Sequence, residues 1–181
     1  MTPASLLESV KQRFSVLLNT DTNQFNVFLR QALQTYEASA GCWKVMRLES
    51  AESPLPSDYK EKIICRDRGR YHVSVFVDEV NKTLIVENPS RASFPCDFIY
   101  YTNLSGVDLD TYELPNECEH LVSKYLYVLI AIPEFERQAR ISAANNYDTS
   151  AYPSQAELQA QKTEIETEMR NQMVLPNVRV R

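Results

Sequence analysis

The chain has 181 residues, 44% of them hydrophobic and 24% charged, with a formal net charge of −5, a composition that fits one globular domain and excludes wholesale disorder. The acidic balance argues against broad, non-specific wrapping of nucleic acid, which needs surplus Lys and Arg to displace counterions, and leaves room for a local basic patch only. Four widely spaced cysteines, two histidines and three glycines exclude zinc-ligand spacing and glycine-rich phosphate cradles.

Thr2-Pro3 opens a first helix, since Pro suits the first helical position and Ser5 with Glu8 has capping-box spacing. Its apolar residues Leu6, Leu7, Val10, Phe14, Leu17 and Leu18 recur at helical period, which predicts a helix through Leu18. The first twenty residues lack a basic region and a cleavage site, so they are read as part of the fold and not as a secretory signal, with four reduced thiols. The polar run Asn19-Thr20-Asp21-Thr22 breaks this helix and caps a second one, striped by Phe25, Phe28, Leu29, Ala32, Leu33 and Tyr36 and ended near Gly41. So short a connection predicts an antiparallel helical hairpin over residues 1–41. Trp43, directly after the Gly41 breaker, is expected to be buried where helix gives way to strand.

Segments 42–48, 62–68, 71–77, 83–87 and 97–104 are short and rich in β-branched and aromatic residues, so residues 42–113 read as a sheet region. Tyr71, Val73, Val75 and Val77 alternate with His72, Ser74, Phe76 and Asp78, and Asp78 to Lys82 forms a polar turn before 83–87, which predicts a hairpin. The gaps hold no crossover helices, so the sheet is expected to be antiparallel. Leu114-Pro115 starts a third helix with Cys118, Leu121, Val122, Tyr125, Leu129 and Ile132 on its buried stripe; Pro133 is expected to interrupt it. Ser154 and Glu157 form a capping box for a last helix with a thin apolar seam of Leu158, Ile165 and Met169, read as largely solvated or as meeting a partner along one edge. Residues 173–181 contain Pro176 and alternate apolar with polar residues, so they read as an extended arm. The fold class expected is α+β: a helical bundle, made of the N-terminal helix pair and the C-terminal helices of 114–172, with an inserted antiparallel β region and an extended C-terminal arm, in a single domain.

Candidate chemistry is sparse. Asp108, Asp110 and Glu113 are close in sequence but lack the glycine and the twelfth-position glutamate of a calcium loop, so a solvated loop is the better reading and no metal site is assigned. Cys118 and His120 are two apart on a helix and point to different faces, which removes them as nucleophile and base. His72 has no triad partner at recognisable spacing. In Asp78-Glu79-Val80-Asn81-Lys82 a valine stands where a metal-binding acid of a nuclease motif would precede the lysine by two. Lys60, Lys62, Arg66, Arg68 and Arg70 form a basic cluster with Arg68-Gly69-Arg70 at a turn, which Asp58, Glu61 and Asp67 turn into a mixed, solvated surface. No catalytic residue, cofactor or metal is expected, and the chain is read as a non-enzyme.

This order of elements resembles the head-to-tail adaptor of short-tailed bacteriophages, the family also called tail tubular protein A or connector gatekeeper. The resemblance lies in Tyr36 followed by Trp43-Lys44-Val45, strands 71–77, 83–87 and 98–104, Leu114-Pro115-Asn116-Glu117, the Tyr125-Leu126-Tyr127 helix and the helix 157–172, and covers most of residues 22–172. It implies a virion protein of the head-tail junction, made in the host cytoplasm, forming a homo-oligomeric ring of twelve copies between portal protein and tail nozzle protein, with an axial passage for DNA and no sequence-specific binding. No membrane association is implied, since no apolar run reaches the eighteen or so residues of a spanning helix. The sequence departs from the family in its Pro-containing, Arg-tipped ending, which replaces a glycine- and asparagine-rich one. There Val174, Leu175, Val178, Arg179, Val180 and Arg181 are expected to contact a neighbouring subunit or the portal by strand addition, the alternative being an ordinary frayed terminus. The competing reading is a small α+β regulatory or ligand-binding domain whose sheet region holds a metabolite.

Overall fold

A computed structural model of the chain describes residues 1–149 and 152–172. They divide into two compact units: a helical one, made of residues 1–40 and a second stretch described over 107–172, and a β unit of residues 41–106. The architecture is α+β, as the sequence predicts.

In the helical unit, α1 (Pro3–Lys11) starts where Thr2 Oγ1 accepts the Ser5 N–H at 3.2 Å, with Pro3 in the first turn, and buries Leu6, Leu7 and Val10. It stops seven residues short of Leu18. Residues 12–21 leave helical geometry because their backbone groups and side chains find other partners. Phe14 stacks on Tyr127 with ring centroids 4.7 Å apart, and the N–H groups of Leu18 and Asn19 donate to the carboxylate of Glu134. Asp21 then caps α2 (Thr22–Ser39) through the Asn23 N–H at 2.9 Å. The expected α1–α2 hairpin is not the main packing: each of these helices lies chiefly against the third.

That third helix, α3 (Asn116–Ala144), has 29 residues and passes through Pro133 without ending. A proline removes one N–H bond from the ladder, but Val128, Leu129, Ile130 and Ala131 are buried before it and Glu134 immediately after it, and this packing on both sides of the break keeps the segment helical. Pro115 is its N-cap, and Glu117 and Glu119 occupy the first turn, where the helix dipole favours negative charge. In α4 (Gln155–Asn171), the capping box of Ser154 and Glu157 is formed in both directions. Its seam of Leu158, Ile165 and Met169 is buried, and α4 packs on α3 and α2, so the edge read as solvated or as partner-facing is filled within the chain.

In the β unit there are two three-stranded antiparallel sheets where the sequence predicts one. The strands are β1 (Trp43–Leu48), β2 (Glu52–Pro54), β3 (Tyr59–Arg66), β4 (Val75–Asp78), β5 (Thr83–Val86) and β6 (Cys96–Thr102). The first sheet has the order β1-β6-β3, and the second β2-β5-β4. The predicted hairpin is β4–β5, with Val75 opposite Val86 and Asp78 opposite Thr83. It is shorter than expected, because Tyr71 is 74% exposed and the strand starts only at Val75. The core joins inward residues of both sheets, Leu48, Cys65, Cys96, Phe98 and Tyr100 with Val75, Leu84 and Val86, the alternating burial of two packed sheet faces. Trp43 is only half-buried, as the first residue of β1 opposite Tyr101. Beside it Gly41 holds φ +71°, the left-handed conformation that ends a helix at least cost.

Candidate functional site

The acidic loop is an ordinary turn. Asp108 Oδ1 accepts the N–H groups of Asp110 and Thr111 and the Thr111 hydroxyl, each at 2.9 Å. The bonds from Thr111, with that from Asp110, hold the Asp108 carboxyl below its ordinary range. Its lone pairs are used in shaping the chain that leads into α3. Asp78 does the same in the β4–β5 turn, accepting from the N–H groups of Val80 and Asn81 and from the Asn81 amide. Among the described residues no group of three or more His, Cys, Asp and Glu is placed to hold a metal ion.

The thiols are held away from solvent. All four cysteines are free and buried. Burial pushes the Cys65 thiol up to about 12, with Cys96 beside it adding to the effect; a thiol kept protonated at neutral pH is a poor nucleophile. Cys118 Sγ bonds the Pro115 carbonyl at 3.0 Å, and His120 is exposed on another face of α3. His72 is exposed and forms an isolated bridge with Arg66.

Two grooves open on the helical unit. One of about 480 Å³ lies between the C-terminal half of α3 and the start of α4, with Phe135 and Tyr152 as walls and Ala139 and Ala143 among its lining. The other, of about 520 Å³, lies between α1 and the start of α3 and is lined by Arg13, Glu119, His120 and Lys124 among others. Neither aligns a nucleophile with a base: Arg13 is bonded to Ser123 at 2.8 Å and Lys124 to Glu168 at 3.3 Å.

Glu134, which no motif or periodicity marks out, is the most enclosed carboxylate of the described helical unit at 1% exposure. It accepts from the backbone of Leu18 and Asn19 and from the Gln138 amide, while Gln138 also donates to the Val16 carbonyl at 3.1 Å. Together they fasten residues 16–19 to α3 and leave Val16 57% and Leu18 42% exposed.

In the basic cluster, two of the acids read as neutralising it are buried. Asp58 is taken up by Lys44 at 2.7 Å and by the Tyr100 hydroxyl at 3.0 Å, and Asp67 by two backbone N–H groups. Arg68 and Arg70 are exposed. Val174, Leu175, Val178, Arg179, Val180 and Arg181 lie outside the described residues.

No protein-family model matches the chain, and no curated protein is significantly similar to it in sequence. Among the described residues, no helix is long and apolar enough to cross a membrane.

Proposed function

We propose that the protein is a structural head-to-tail adaptor, assembling as a homo-oligomeric ring, twelve copies in the family it resembles, between a portal and a tail nozzle, with DNA passing along the axis. The observation that supports this reading most is the interruption of a helical unit by a β unit: the chain leaves the helices after α2 and returns to them at residue 107. The resemblance to the adaptor family rests on this arrangement, with Leu114-Pro115 leading into the returning helix. The turn roles of Asp108 and Asp78 and the high-pKa buried thiol of Cys65 are consistent with a protein whose work is done by surfaces.

Electron microscopy of the purified full chain, alone and mixed with portal-bearing particles, tests the proposal. Rings with a central opening, or added density beneath the portal, are expected. A chain that stays monomeric at every concentration and adds nothing to portals overturns it, and a monomer that binds a small metabolite points instead to the ligand-binding domain.

A further inference from the structure

At one end of the β unit a clamped turn gathers arginines. Asp67, 6% exposed, spans the turn with its carboxylate: Oδ1 accepts the Tyr71 N–H at 2.9 Å and Oδ2 the Ser93 N–H at 3.3 Å. The backbone repeats the link, with Asp67 N–H donating to the Tyr71 carbonyl and Arg68 N–H to the Ser93 carbonyl, both at 3.0 Å. A Cβ on Gly69 would come within 3.0 Å of the Tyr71 ring and 3.2 Å of Asp67 Oδ1, so a larger residue there would have to displace the exposed Tyr71 ring. Arg70 takes φ 66° at the corner. Arg68 and Arg70 are therefore presented on a fixed loop, and the Ser93 link ties to it the segment that carries Arg91, two residues before Ser93.

The turn follows the last residue of β3, at the end of the first sheet where Arg66, Asp97 and Arg47 lie side by side across three strands. At ordinary strand spacing Arg47 and Arg66 are about 10 Å apart. The opposite end of that sheet, with Trp43 and Thr102, is where the chain enters and leaves. Arg47 is paired with Glu49 at 3.3 Å, and Asp97 lies between two arginines. Arg68, Arg70 and Arg91 are exposed and make no ion pair among the described residues; Glu87 is the remaining exposed carboxylate of the adjoining segment. Guanidinium groups held on a rigid frame suit the planar, bidentate recognition of phosphate.

A protein partner would be expected to meet an apolar centre within the patch. Here residues 67–72 and 89–93 expose one aromatic ring, Tyr71, and otherwise polar or small residues, while the other large apolar exposures of the unit are Val45 on β1 and Phe76 and Val80 on the β4–β5 hairpin. Tyr71 also supplies a hydroxyl of the kind that donates to phosphate oxygens. We propose that this arginine turn binds the phosphate backbone of duplex DNA. The proposal concerns the β unit alone and does not depend on the chain forming a ring.

Anisotropy of a labelled, random-sequence DNA duplex titrated with the full chain tests it. Three phosphate contacts give a slope of log affinity against log salt of about −2.7, so raising salt from about 50 to about 200 mM should weaken binding about forty-fold. Arg68→Ala/Arg70→Ala leaves one contact and a loss of only about three- to four-fold over the same range, on much weaker binding, whereas Arg68→Lys/Arg70→Lys keeps the salt slope. Arg91→Ala should lower the slope by about 0.9 and serves if the double variant fails to fold. Absence of binding at low salt, or binding that all these variants leave unchanged, overturns the proposal. It is equally overturned if the turn instead drives salt-sensitive self-association, seen by sedimentation without DNA and lost in the alanine variant.

Discussion

Replacing Glu134 by Ala tests whether a buried carboxylate, and not helical propensity, sets the path of residues 12–21. The substitution removes the acceptor of the Leu18 and Asn19 N–H groups and of the Gln138 amide. Bonds to a charged group contribute about 1.5–3 kcal/mol each, and a stranded buried N–H costs about 1–3 kcal/mol. The full cost of two is not reached, because Leu18 is 42% exposed and water can reach part of the freed backbone. The net loss is then about 2–3 kcal/mol. At about 2–4 °C per kcal/mol for a chain of this size, Tm falls by about 5–10 °C. Glu136→Ala is the matched control: it removes the same charge two residues away, where the carboxylate is 47% exposed and pairs on the surface with Arg140, itself 78% exposed, and exposed pairs contribute about 0–1 kcal/mol. Denaturant and thermal melts of both variants measure the difference, and limited proteolysis within residues 12–19 reports where the structure has loosened. If the two variants melt together, or if Glu134→Ala leaves residues 12–19 as protected as before, the reasoning fails.

Met169→Ala removes a side chain that is 0% exposed in the seam of α4 and is expected to cost about 2–5 kcal/mol, read from denaturant melts; a loss below about 1 kcal/mol would mean that α4 is not seated on α3. Burial, aided by the Glu166 carboxylate bonded to its hydroxyl at 2.7 Å, pushes Tyr125 up to about 12 from an ordinary 10. The unfolded chain therefore loses this proton first, and the stability it contributes is present below pH 10 and disappears as pH rises from 10 towards 12. Tyr125→Phe should flatten the alkaline fall in Tm over that window, and an unchanged alkaline profile would refute the assignment.

Much of the helical unit was legible because capping and periodicity act locally. Thr2, Asp21, Ser154 and Glu157 take the cap positions their chemistry suggests, and the predicted stripes of α2 and α3 are buried except at Phe28 and Ile132, which are half-buried. Local pattern and structure part where a distant group overrides the local signal. Phe14, Leu17 and Leu18 keep helical spacing, yet Tyr127 and Glu134, more than a hundred residues away, draw the segment out of the helix. Pro133 breaks the local rule in the other direction, since packing on both sides of it holds α3 together. In the β unit, strand content was visible but its partition was not: three residues, Glu52 to Pro54, form β2 and complete a second sheet, and so short a run carries no periodic signal.

Charge was legible as a sum and misleading as a distribution. Residues 1–40 with 107–172 hold eight Lys and Arg against fifteen Asp and Glu, while residues 41–106 hold nine of each, so the acidity that argued against nucleic acid belongs to the helical unit. Within the β unit, burial then divides what sequence proximity mixes. Asp58 and Asp67, counted as neighbours that neutralise Arg66 to Arg70, turn inward to hydrogen bonds at 7% and 6% exposure, and Asp67 is the group that fixes the arginine turn. Burial does not cancel a charge: Asp58 is matched by Lys44, whereas Asp67 accepts backbone N–H groups and keeps its negative charge within the turn. Asp67 therefore acts on the patch through its shape, holding Arg68 and Arg70 on a closed turn. A counting rule applied along the chain cannot detect this, because the deciding partner of Asp67, the N–H of Ser93, is 26 residues away.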